Sequence, residues 1–86
     1  MLWINEDIAM SHVPHELAEE FPDAKDRISA LTQSDAHFAK LTEEYHSVNR
    51  EIHRIETKVD PADEGYEKQL RRQRLALKDQ ISSYLD

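Results

Sequence analysis

Apolar residues recur at alternating intervals of three and four through the middle of the chain: Phe38, Leu41, Tyr45, Val48, Ile52, Ile55 and Val59. Three unbroken heptads of this kind put all seven on one stripe of an α-helix, and helices with such a stripe pair along their lengths. The pattern predicts a first long helix over about 35–59, roughly 37 Å long at the usual rise per residue. Lys58 suits its negative C-terminal end, Asp60-Pro61 stops it, and Gly65 completes the break. A second long helix, capped by Asp60 or Asp63, follows over about 63–85, with Tyr66, Leu70, Leu77, Ile81 and Tyr84 on its apolar side. A connection this short makes the two helices antiparallel neighbours. The expected core of the hairpin is Phe38, Leu41, Tyr45, Val48, Ile52, Ile55, Leu70, Leu77, Ile81 and Tyr84. Asn49 lies beside the seam, where a polar residue often sets the register.

Upstream the period is weaker. Pro14–Phe21 predicts a short helix with Pro14 in its first turn, ended by Pro22. Asp23 is placed to cap the next turns, with Ile28 and Leu31 facing inward. Thr32-Gln33-Ser34-Asp35 is a further helix start, with Ser34 as the cap and Asp35 supplying negative charge to the first turn. Ile28 and Leu31 are out of phase with the later heptads, and the stretch can also run through as one kinked helix. Residues 1–11 carry no period and are expected to form a flexible N-terminal arm, or an upstream extension if translation begins at Met10. Residues 12–86 form a single domain. The fold class is therefore all-α: one or two short helical segments, then a hairpin of two long, coiled-coil-like helices.

Leu75 breaks the pattern. It precedes Leu77 by two positions, about 200° around the helix, so it points away from the seam. Around it lie Arg71, Arg72, Arg74 and Lys78, which with Lys68 form the chain's basic cluster. Two readings follow. In one, Leu75 belongs to a second buried surface, between copies of the chain or against a partner. In the other, it is a single exposed leucine among cations that bridge to the acidic first helix through Glu44, Glu51 or Glu56.

Composition sharpens this choice. Eighty-six residues make a small domain with a limited core, so self-association is expected. There is no cysteine, which removes disulfides, thiolate metal sites and thiol nucleophiles. Net charge is −7, unevenly placed: residues 1–66 carry fifteen acids and six Lys/Arg, and residues 67–86 carry three acids and five Lys/Arg. An acidic chain repels phosphate backbones and anionic membranes, and no aromatic residue interleaves the basic cluster to stack on bases. Nucleic acid is thus the weaker partner reading. No apolar run approaches the roughly 20 residues that span a bilayer, Met1–Met10 lacks the basic start of a signal peptide, and the expected location is the cytoplasm.

Catalytic signals are absent from the sequence. His12, His15, His37, His46 and His53 show no helical metal-ligand spacing, since His46 and His53 stand about 10 Å apart along a helix. The adjacent pairs Glu19-Glu20 and Glu43-Glu44 diverge on a helix. With one glycine there is no phosphate loop or nucleophile elbow. The chain reads as a non-enzyme without metal or cofactor.

Three blocks of residues carry a resemblance. They are His15-Glu16-Leu17 with Asp35-Ala36-His37-Phe38-Ala39-Lys40-Leu41; Glu44-Tyr45-His46-Ser47-Val48-Asn49-Arg50-Glu51-Ile52-His53-Arg54-Ile55-Glu56; and Arg72-Gln73-Arg74-Leu75-Ala76-Leu77-Lys78-Asp79-Gln80-Ile81. Over about residues 12–85 the chain resembles the YdcH-like family of small bacterial proteins of uncharacterised function. The resemblance implies a helical hairpin and brings no catalytic residues with it. Taken together, the expectation is a small cytosolic interaction module, an adaptor or regulator, that self-associates and binds another protein. The candidate surface is Leu75 with Arg71, Arg72, Arg74 and Lys78. The alternative is a nucleic-acid-associated regulator using the Lys68–Lys78 stripe.

Overall fold

The structure is a computed structural model that describes residues 15–57 and 64–86. The expectations for residues 1–11, His12, Pro14, Lys58, Val59, Asp60, Pro61 and Asp63 lie outside the described residues.

Every element among the described residues is helical. The order is α1 (Leu17–Glu20), a 3₁₀ turn (Pro22–Ala24), α2 (Lys25–Ser34), α3 (Ala36–Thr57) and α4 (Glu64–Leu85). The two long helices pack along each other, as the heptads require. Their cross-pairs are nested: Glu56 meets Arg71, Asn49 meets Arg74, and the rings of Phe38 and Tyr84 meet edge to face with centroids 5.1 Å apart. Partners rise in number on α4 as they fall on α3, which makes the pair antiparallel.

The core is the seam. Phe38, Leu41, Tyr45, Val48 and Ile52 of α3 are buried with Leu70, Leu77 and Ile81 of α4, and Leu17 of α1 joins them. Ile55 and Tyr84 are half-buried against this cluster. Each fully buried aliphatic or aromatic side chain contributes about 1.5–3 kcal/mol relative to exposure. Tyr66 departs from expectation. It sits in the first turn of α4, exposed, and its hydroxyl reaches the Glu51 carboxylate at 3.4 Å. A phenol there keeps its polar end in water and lays only one edge toward α3.

Upstream, the helix starts differ from those expected of the sequence. Glu16 precedes the first helical residue of α1, and His15 before it has φ 66°. That is the left-handed region, which histidine enters more readily than bulky or β-branched residues do. Asp23 does not cap α2. It lies inside the 3₁₀ turn that Pro22 starts, and Ala24 stands before α2 with no side-chain cap. Proline's fixed φ begins the turn two residues earlier than a capping aspartate would. Ser34 does not cap α3 either. Its hydroxyl donates to the Ala30 carbonyl at 3.0 Å, so it finishes α2. Asp35 is the cap: its Oδ1 accepts from the backbone N–H of His37 at 3.0 Å and of Phe38 at 3.1 Å. A carboxylate can accept both donors and also suits the positive end of the helix.

Candidate interaction surface

The five cations grouped in the sequence separate in the structure. Arg71 is held at the hairpin edge between Glu56 (2.5 Å) and Glu67 (2.6 Å). Arg74 turns inward, and its Nη1 donates to Asn49 Oδ1 at 2.8 Å. Asn49 is 1% exposed, so this bond satisfies a buried amide oxygen with a charged donor across the two helices. Lys78 reaches further, donating to Glu20 Oε1 and placing its ammonium 6.0 Å from the centre of the Phe21 ring. Lys68 and Arg72 remain exposed, with no ion pair among the described residues.

Leu75 is 59% exposed in the single chain. Positions 68, 72, 75 and 79 follow one helical stripe, so Lys68, Arg72, Leu75 and Asp79 form the outward ridge of α4. Ala76, Gln73 and Gln80 flank it and are exposed. The candidate surface thus narrows to Leu75 with Arg72 and Lys68. Arg74 and Lys78 work inside the chain, and Arg71 is shared between two carboxylates. Of the acidic partners expected on α3, Glu56 takes Arg71, Glu51 pairs with Arg54 through two bonds and meets Tyr66, and Glu44 forms no ion pair among the described residues.

A second constellation was not legible in the sequence. Residues 15–21 form a strap across the hairpin. Leu17, 3% exposed, fills the core. The Tyr45 hydroxyl donates to the His15 carbonyl at 2.6 Å, His46 Nδ1 lies 2.9 Å from Glu16 Oε1, and Lys78 holds Glu20. His15 Nδ1 stands 3.3 Å from the other Glu20 oxygen. The pair with Glu16 ties His46, half-buried, to the strap. Burial pushes the Tyr45 phenol up to about 12, helped by the nearby Glu20 carboxylate. The Lys78 ammonium, with His15 beside it, holds Glu20 below the usual carboxylate range against the opposing effect of burial. The signal in the sequence was Glu16-Leu17-x-x-Glu20: one leucine between two acids at helical spacing, too short to show a period.

Between the strap, α2 and α3 lies an open groove of about 590 Å³, walled by Leu17, Ala18, Ile28, Ala39, Thr42 and His46. Among the described residues no group of three or more His, Asp or Glu is placed to hold a metal ion, and no helix is long and apolar enough to cross a membrane.

No curated protein matches the chain, and no solved structure does. A family profile described as "Protein of unknown function (DUF465)" matches residues 38–85. That span runs from the first core residue of α3 to the end of α4, more than half of the chain, and leaves the strap and α2 outside. The chain therefore belongs to the DUF465 family, the YdcH-like family of small uncharacterised proteins whose resemblance its sequence carries.

Proposed function

We propose that this protein is a non-enzymatic, cytoplasmic interaction module, an adaptor or regulator, that self-associates and binds another protein through the outer ridge of α4. One observation carries the reading. Leu75 stands exposed on a ridge between the cations Lys68 and Arg72 on one side and Asp79 on the other, none of them in an ion pair among the described residues. An exposed apolar side chain with a polar, solvent-accessible rim has the layout of a small docking patch, and arginine is among the residues enriched there. The nucleic-acid reading draws less support, because Arg71, Arg74 and Lys78 are engaged within the chain.

The test is Leu75→Asp. Exposed substitutions away from caps and core shift stability by about 0.5 kcal/mol or less, so helicity and melting should be retained. Sedimentation velocity across a concentration series should show weaker self-association, and an affinity pull-down with nuclease treatment should lose its protein partners. A variant that keeps the wild-type mass and partners overturns the reading. Partners that vanish with nuclease in the wild type move the assignment to nucleic acid.

A further inference from the structure

The joint between α2 and α3 is a single residue. Asp35 donates its N–H to the Leu31 carbonyl at 2.8 Å, continuing the α2 ladder, and its own carbonyl accepts from Ala39 N–H at 2.9 Å, opening the α3 ladder. The bend between them rests on one extended backbone setting, φ −130° and ψ 108°. From Lys25 to Thr57 there is neither proline nor glycine. If Asp35 took helical dihedrals, α2 and α3 would form one uninterrupted helix.

Local forces do not choose strongly between these forms. Asp35 caps α3 in the bent form, and in the straight form the N–H groups it caps would join the ladder. Nor does α2 hold the bend by itself: none of its residues is buried, and Ile28 and Leu31 are half-buried. The bend is held by Ile28 and Leu31, packed against the core, together with the strap at its far end, through Leu17, Glu16 and Glu20. The strap meets Tyr45, His46 and Lys78, so α2 folds back alongside α3.

We propose that residues 15–34 exchange between two copies of this chain. The helix straightens at Asp35, and each arm seats on the other copy. There its Leu17 enters the partner copy's core, and its Glu16 and Glu20 meet the groups equivalent to His46 and Lys78. Because α2 runs back along α3, two straightened helices lie antiparallel about a two-fold axis beside Asp35, and each arm meets the surface it covers in the single chain. Exchange of an identical element is a low-cost route to a symmetric dimer, since it reuses contacts that already exist. The occupant of the strap site is a second copy because the strap's leucine and two carboxylates already match that site's apolar floor and its donors. This inference concerns a different surface from the α4 ridge and stands without it.

Two substitutions separate the forms. Ala36 is the first residue of α3 and is exposed. Ala36→Pro suits the first turn of a helix and restricts Asp35 to extended dihedrals, so it fits the bend and forbids the straight helix. Asp35→Ala removes the cap that the bend uses and strengthens the straight helix. Sedimentation velocity over a wide concentration range should show Ala36→Pro with dimerisation weakened at least about tenfold and helicity unchanged, and Asp35→Ala with dimerisation strengthened at least about tenfold, because each of the two copies loses a cap that favours the bend. The inference is overturned if Ala36→Pro, folded by circular dichroism, dimerises as the wild type does, or if neither the wild type nor Asp35→Ala dimerises. Leu75→Asp in the same series keeps the two ideas apart. Loss of dimer in Leu75→Asp alone leaves the α4 ridge standing and removes arm exchange. Loss in Ala36→Pro alone leaves arm exchange standing and removes self-association through the ridge.

Discussion

Tyr45→Phe is the most informative single perturbation of the strap. The ring is 1% exposed, and its hydroxyl donates to the His15 carbonyl at 2.6 Å. Phenylalanine keeps the packed ring and removes that donor. A neutral hydrogen bond contributes about 1 kcal/mol net. His15 is an exposed residue, so water can take over its carbonyl and the loss should stay near that figure at neutral pH. A loss of this size in a chain this small lowers the melting temperature by about 4–8 °C. The pH dependence is the sharper test. The phenol's ordinary value is 10.0, and burial in the folded chain pushes it up to about 12. The unfolded chain therefore gives up this proton first. The stabilising effect of the neutral buried phenol is complete below its unfolded value and is lost as pH climbs through the folded one. A shift of this size corresponds to roughly 2–3 kcal/mol. Tyr45→Phe cannot ionise and lacks that loss. Urea unfolding followed by circular dichroism should find the variant less stable at neutral pH, equal to the wild type between the two ionisations, and more stable at the alkaline end. Other alkaline titrations are common to both proteins and largely cancel in the difference. A stability difference that stays constant with pH would refute the assignment of Tyr45 as a buried, neutral donor.

Three further outcomes follow from the same contacts. Ile81 is fully buried where α4 faces α3, so Ile81→Ala should cost about 3 kcal/mol of unfolding free energy in urea titration. Arg74→Met removes the charged donor to Asn49 and should cost about 1.5 kcal/mol; a double-mutant cycle with Asn49→Ala should show coupling of about 1 kcal/mol, and additivity would deny the bond a role. Lys78→Met should be less stable than the wild type at neutral pH and should lose less on acidification. Lys78 holds Glu20 below its ordinary 4.5, so the wild type keeps this contribution above that pH and loses it as pH falls through the folded value. Denaturant midpoints measured from neutral to acid pH check this.

The long helices and their pairing were written in the local order of the chain. A period of three and four sustained from Phe38 to Ile55 leaves few alternatives to a helix with one apolar stripe, and the short break before α4 leaves few alternatives to an antiparallel neighbour. Leu75 could be placed off the seam from its offset to Leu77 alone. What the tertiary structure decided involves residues far apart in sequence: Lys78 with Glu20, Tyr45 with His15, His46 with Glu16, and Arg74 with Asn49. In sequence Arg74 and Lys78 are indistinguishable from Arg72, since a cation's spacing tells which face of its own helix it occupies and nothing of the carboxylate or amide that folding brings there. The short upstream elements escaped for a related reason. A four-residue helix or a single joint residue is too brief for any period to show. Whether Ser34 or Asp35 caps α3, and whether α2 bends at all, depends on small local preferences together with contacts from far along the chain, the docking of Leu17 among them.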